Sequence, residues 1–462
     1  MRCMRAALTF AAVALAGTGA FAEETAGWRL VFSKLTTREK IEHPGVEAKE
    51  GSEVAPPKPQ ESRSDMIVRL APTWLSIEDG THEAIYDFDA RRLFSVDRVA
   101  GSLSEVSLFA DIGFREHEMK NRVYLANLLE KAASAAKKKK APDLGSVMEI
   151  LDAECAFGIE ATPPADPELE ETAVEGVLEF RLRGRPTARY RAAEGQLPAT
   201  LRPALRRFLV YGAHLHPRIL AKVESAAVPP ALLEYRVREL NDRTTIRLDL
   251  TSSAPDTVDW RARLTGLRRE PSPAGDVPFR ILDEKLQAAP TVEDYQGAAD
   301  KALVEKNYLD ALLALFECNI ARGQTDTARV RKVIAAGEKD ARVATLLDGL
   351  DENDPKEAQR LLDSIDATHL RHGHVLDVFR ANARAGAGDA GGAIDLFRKA
   401  IAANPYLAGA YKDLGGIFHG QYETPAAWDC WDAGRRIAPD HPMLADIDKL
   451  EQHLVRTYPA FF

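Results

Sequence analysis

Residues 408–441 read AGAYKDLGGIFHGQYETPAAWDCWDAGRRIAPDH. Tyr411, Leu414, Gly415 and Phe418 recur at helical spacing, and Ala427, Trp431, Gly434 and Pro439 follow in a second helical register. Small residues at Gly415, Ala427 and Gly434 allow two antiparallel helices to approach closely. Tyr411, Phe418 and Trp431 supply the bulk that fills the space between this pair and its neighbours. A closing Pro439 stops the second helix. The stretch therefore predicts a helical hairpin built to stack against others of its kind.

The aromatic, Leu-Gly, aromatic, Ala-x-x-x-aromatic and Pro spacing resembles the tetratricopeptide repeat family. The resemblance implies an all-α solenoid of helical hairpins that binds another chain. Shifting the frame back by 34 residues places Ala393, Phe397, Ala400 and Pro405 on the second-helix positions. The first helix of that earlier unit departs from the pattern, with Asp377, Arg380 and Arg384 at the packing sites, so Val375, Leu376, Val378 and Phe379 are the alternative packing set. Further back, Ala358, Leu362 and Ile365, then Ala311, Leu315 and Cys318, repeat the packing triplet. Tyr295, Ala298, Ala299 and Ala302 form a partner helix, and an unpaired helix fits near 326–337. Leu444, Ile447, Leu450 and Leu454 make the apolar stripe of a capping helix, which such an array needs to shield its last interface.

Upstream the period changes. Trp28, Leu30 and Phe32 share one face of a strand, and strands are expected at 65–70, 73–78, 82–89, 92–98 and 103–110. A helix carrying Met119, Val123, Ala126 and Leu129 leads to the lysine run 137–140, which suits a helix end whose carbonyls favour cations. A second helix is expected near 144–153. Alternation resumes in Leu178, Phe180 and Leu182 and again in Leu233, Tyr235 and Val237, with an amphipathic helix over 198–211 between them. Residues 44–64 and 161–172 read as polar loops. In outline this region is similar to the half-barrels of periplasmic lipoprotein carriers, a likeness of architecture that transfers no ligand-binding residue.

The fold class expected is α+β: an N-terminal, mainly antiparallel curved sheet with inserted helices, then a C-terminal helical-hairpin solenoid. The boundaries are a signal peptide at 1–22, an α+β domain at 23–268, a Pro-rich linker at 269–291 and the repeat domain with its cap at 292–457. Arg2 and Arg5, the apolar run Ala6–Ala16 and the small-x-small site Ala20-Phe21-Ala22 carry the signal-peptide reading, and with it a periplasmic or secreted location. No later segment is apolar enough to span a bilayer, so no transmembrane segment is expected in the mature chain. Loss of Arg2 and Arg5 takes the net charge from −9 to −11, which argues against nucleic acid as a partner. Cys155, Cys318 and Cys430 would remain, an odd set without a CxxC, so neither a disulfide framework nor a zinc knuckle is indicated.

Chemical motifs are sparse. Gly386, Gly388 and Gly391 spell GxGxxG, but between two helices rather than after a strand, where glycines serve a turn. His369, His372 and His374 cluster at a helix end without a cysteine to complete a metal site. His214 and His216 read as a helix-terminal pair. His117-Glu118 opens like a zincin helix, but Asn121 stands where the second histidine would be. There is no Gly-x-Ser-x-Gly elbow and no Walker loop, and 70 carboxylates offer no distinguishable acid/base pair. No enzyme, cofactor or metal is expected.

The expected function is that of an exported cell-envelope scaffold or adaptor, with a protein or peptide bound in the repeat groove. Its candidate binding residues are Asn382, Lys412, Gly416 and His419, on the first helices and pointing away from the Tyr411/Leu414/Phe418 packing set. Repeats that grip a C-terminal carboxylate use Lys and Asn on such faces. Here Gly416 replaces an expected Asn and no second Lys/Arg pair is visible, so a generic groove is expected instead. The alternatives are a periplasmic carrier holding an apolar ligand in the curved sheet, and a hydrolase with its site at the domain junction.

Overall fold

The computed structural model describes residues 26–40, 58–135, 169–182, 184–213, 215, 217–238, 242–257, 259–271, 274, 275, 278, 281 and 289–462. The proposed signal peptide, the lysine run 137–140, the helix near 144–153, Cys155, His214 and His216 lie outside the described residues.

One twelve-stranded sheet forms the N-terminal half. Its strands are β1 (Ala26–Lys40), β2 (Gln60–Leu70), β3 (Trp74–Asp79), β4 (His82–Asp87), β5 (Arg92–Asp97), β6 (Ser102–Ser107), β7 (Leu169–Val174), β8 (Val177–Leu182), β9 (Arg185–Ala192), β10 (Pro230–Arg238), β11 (Asp242–Thr257) and β12 (Arg268–Arg269). The spatial order is β12-β6-β5-β4-β3-β2-β1-β11-β10-β9-β8-β7, and every neighbouring pair is antiparallel except β12 with β6. Two expected loops are shorter than the sequence suggested. Residues 60–64 extend β2 and residues 169–172 open β7, because their backbones pair with β1 and β8 even where polar side chains point to solvent. The strand expected over 103–110 ends at Ser107, where the first helix starts.

Alternation divides the sheet's side chains between two cores. On one face Leu30, Phe32, Met66, Val68, Leu70, Leu75 and Tyr86 are buried. They pack under α2 (Arg202–Gly212) and α3 (Pro217–Ser225), with Phe208 of α2 stacked on Phe32 at 5.8 Å between ring centroids. Burial of each such side chain contributes about 1.5–3 kcal/mol. The apolar face on which the carrier alternative depends is thus covered here by the chain's own helix.

On the other face Trp74, Ile85, Val96 and Leu103 pack against Trp260. The Trp260 segment is pinned by a charge network. The buried Glu83 carboxylate accepts from Arg263 at 3.0 Å and from Arg98, while Arg263 and Arg69 reach Glu78 at 3.0 and 2.8 Å. Burial alone would raise the pKa of Glu83; the Arg263 and Arg98 hydrogen bonds hold it below its ordinary value instead.

Ten of the remaining helices run from α1 (Leu108–Ala135), which crosses from the sheet, through α4 (Val292–Val304), α5 (Tyr308–Arg322), α6 (Thr327–Ala336), α7 (Ala341–Asp351), α8 (Pro355–Asp363), α9 (His374–Gly386), α10 (Ala390–Ala403), α11 (Ala408–Gly420) and α12 (Thr424–Ile437), with α13 (Ala445–Thr457) closing the set. Contacts pair α4 with α5, α7 with α8, α9 with α10 and α11 with α12, and α6 stands outside these hairpins. In α9 the alternative packing set is the one used: Val375, Leu376 and Val378 are buried. Gly388, at φ +86°, makes the turn between α9 and α10, the use expected for that glycine string.

Helix α5 is central to this half. Leu309, Ala311, Leu312, Leu313, Ala314 and Leu315 are all buried, leaving no solvent face along this stretch. It touches α7, α9 and α11, the first helices of three hairpins. The inner side of the hairpins is therefore occupied, along these contacts, by the chain itself.

The two halves share one apolar cluster that runs from Leu30 to Phe461. Tyr211 of α2 donates to the Phe461 carbonyl at 2.9 Å, Phe109 meets Phe462 at 5.0 Å, and Thr424 donates to the Ala110 carbonyl at 2.9 Å. Arg92 of β5 pairs with Asp432 of α12 at 2.9 Å. Ala274 and Ile281, within the expected linker, are buried in the same cluster.

Candidate functional site

Helix α11 is held by its apolar positions: Tyr411, Leu414, Gly415 and Phe418 are buried, while Lys412, Asp413 and His419 are half-buried and Gly416 is exposed. Gly415 is where α11 and α12 come closest. A Cβ there would stand 2.3 Å from the Trp431 indole nitrogen and 2.9 Å from the Ala427 carbonyl. That indole donates to the Lys412 carbonyl at 3.1 Å and fixes the helix axis.

Asn382 and Lys412, two of the four candidate residues, meet at a residue not singled out from the sequence. The Asn382 amide donates to Asp413 at 3.3 Å, and the Lys412 ammonium lies 3.4 Å from the other carboxylate oxygen. Burial pushes the Asp413 carboxyl above its ordinary value, opposed by Lys412 and Asn382. The charge of Lys412 is thus partly spent within the chain. Gly416 is exposed one turn further, with nothing within 4 Å of where a Cβ would sit. These positions make a polar strip across α9 and α11 with one open, side-chain-free step.

His419, the fourth candidate, is placed differently. It belongs to the joint with α1, its Nε2 3.1 Å from Nε2 of His117. Behind it lie Trp428 and Trp431, at 5.9 and 5.5 Å between ring centroids. Tyr422 sits edge-on to His117 at 5.5 Å and adopts φ +65°, the left-handed conformation that ends α11. Burial keeps both imidazoles below their ordinary value.

A second buried polar cluster anchors α5. Glu317 accepts from the Asn404 amide and faces His374 Nε2 at 2.9 Å and His372 Nδ1, while the His372 main-chain N–H donates to Asp310 at 2.9 Å. Burial alone would raise the pKa of Glu317; its histidine partners bring it down to about 2. Burial would lower that of His372, but Glu317 holds it above the ordinary value. So two of the three clustered histidines serve a carboxylate, and His369 caps a turn at φ +69°. Among the described residues, no group of three or more His, Cys, Asp or Glu side chains is arranged to hold a metal ion. Cys318 and Cys430 are buried, as expected for packing residues.

No family model matches the chain, and no curated protein matches it. Among solved structures, a crystal structure of MamA protein is similar over 36% of this chain and 87% of its own, at 19% identity and a TM-score of 0.20. A second MamA crystal structure covers 35% of this chain and 91% of its own, at the same identity and score. A lipovitellin structure concerned with lipid–protein interactions covers 95% of this chain and 56% of its own, at 8% identity and a TM-score of 0.18.

Proposed function

We propose that the chain is an exported cell-envelope adaptor whose tetratricopeptide-like hairpins engage a protein partner over the strip formed by Asn382, Lys412 and Gly416, without catalysing a reaction. One observation carries this reading: the bare step at Gly416, exposed beside a polar pair that bridges two hairpins. A partner backbone can come close there, and the flanking amide and ammonium can meet its carbonyls or carboxylates. With α5 against the inner side of the first helices, this rim is a more accessible surface than a deep groove. The basic start, apolar run and Ala20-Phe21-Ala22 site support export and a periplasmic location.

The test is co-purification from envelope extracts with the full chain and its Gly416→Arg variant. Gly416 is exposed, with nothing within 4 Å of where a Cβ would sit, and arginine improves helix propensity there. Loss of specific co-purifying proteins with unchanged thermal stability supports the reading. Recovery of the same proteins by both forms refutes it.

A further inference from the structure

The joint between α1 and α11 carries geometry that its packing role does not require. His117 and His419 are brought together from opposite halves of the molecule, with Nε2 atoms 3.1 Å apart, ring centroids 4.8 Å apart and ring planes at 66°. A straight N–H···N hydrogen bond between two imidazoles at that nitrogen spacing would separate the centroids by about 5.4 Å, since each ring centre lies about 1.15 Å behind its nitrogen. The shorter observed separation means that the ring axes are bent away from the line joining the nitrogens. A nitrogen spacing of 3.1 Å admits one ion at about 2.1 Å from each nitrogen, the zinc–imidazole bond length. The angle there is about 95°, close to that between neighbouring ligands of a six-coordinate ion and within reach of a tetrahedral one.

The rings are also pre-positioned. His419 is backed by Trp428 and Trp431 and His117 is flanked by Tyr422, so neither has to be gathered from solvent on binding. Both histidines are only half-buried, which leaves an approach for the ion and for water ligands. The histidine cluster around Glu317 differs in kind, because there His372 Nδ1 and His374 Nε2 face the carboxylate.

We propose that His117 Nε2 and His419 Nε2 form a two-histidine site for a divalent transition-metal ion of the imidazole-preferring class, Zn2+ or Cu2+, that clips α1 to α11. Water completes the coordination, since no third His, Cys, Asp or Glu converges there among the described residues. Two protein ligands make this a site of about micromolar affinity, well short of a four-ligand structural zinc. Its effect is mechanical: the bound ion ties the sheet-bearing half to the helical half, and it raises stability with ion concentration by mass action.

The experiment uses the full chain without a polyhistidine tag, stripped with a chelator and titrated with Cu2+ and with Zn2+. Expected are one tight Cu2+ per chain with nitrogen couplings from two imidazoles in the electron paramagnetic resonance spectrum, and a Zn2+-dependent rise in Tm. His117→Gln keeps the size of the side chain and leaves the Trp428/Trp431 packing of His419 alone, and it is expected to weaken Cu2+ binding by about tenfold or more. His419→Gln should do the same, with each variant's metal-free Tm measured to separate folding from binding. The proposal is overturned if the stripped protein takes up no ion. It is equally overturned if binding survives in both variants or is lost only in His372→Gln and His374→Gln.

Discussion

Phe316 of α5 meets Phe379 of α9 edge-on, with ring centroids 5.6 Å apart and planes at 86°. The contact matters because Phe379 sits on the first helix of a hairpin, on the side where a stacked array would otherwise offer a hollow. The chain supplies its own occupant at this contact, and α5 packs against the first helices of three hairpins.

That arrangement makes α5 a keystone for stability. Leu313→Ala removes a fully buried side chain from its centre and is expected to cost about 2–5 kcal/mol. Urea denaturation followed by far-ultraviolet circular dichroism measures it. A cost below 1 kcal/mol would mean that α5 is dispensable to the packing.

Adjacent glycines on α11 should respond with opposite signs. Gly416→Ala meets open space and replaces glycine inside a helix, so a gain of about 0.5–1 kcal/mol is expected. Gly415→Ala drives a methyl group into Trp431 and the Ala427 carbonyl, and a loss of about 1–3 kcal/mol is expected. Paired thermal melts of the two variants check the contrast.

The Glu317 cluster predicts a pH dependence in two limbs. His372 has a raised folded pKa, so its contribution is complete below the ordinary value of 6.5 and is lost as pH rises through the higher folded value. Glu317 is lowered to about 2, so its contribution is present above 4.5 and is lost as pH falls toward 2. Stability measured from pH 6 to 9 should fall more steeply in the wild type than in His372→Gln. Parallel curves would show that the pair is not coupled to folding.

Glu83→Gln tests the outer face of the sheet. The change leaves Arg263 and Arg98 without their shared carboxylate, and a loss of about 3–5 kcal/mol is expected. A smaller effect than that of Leu313→Ala would indicate that water replaces the carboxylate at this network.

The hairpin periodicity of residues 408–441 was legible because its packing positions are large aromatics and glycines, each with one structural use. The strands were legible wherever one face is apolar, as in Leu178, Phe180 and Leu182. They were not where pairing is made by backbone alone: Leu169–Val174 is an edge strand with mostly exposed side chains, so its composition looks like a loop. The place of α5 could have been read from its sequence, since every residue from Leu309 to Leu315 except Asp310 is apolar, and a helix of that kind is buried all round. The candidate strip was only half legible. Lys412 and Asn382 follow from helix phase, but their meeting at Asp413 depends on how two hairpins stack. The meeting of His117 with His419 was out of reach, because nothing local indicates that a helix leaving the sheet will pack against α12 and bring the two rings together.

Residues Tyr458–Phe462 bring a consequence for biogenesis. Phe461 is wholly enclosed against Tyr211, and Tyr458 donates to Glu116, so a segment synthesised some 250 residues after α2 completes the core beside it. A ribosome or a translocation channel delivers the β-rich portion first, with Tyr86, Phe88 and Tyr211 still uncovered. Until the aromatic tail arrives, that half is a natural client for a holdase, and chains cut short before Tyr458 would carry a permanently sticky face.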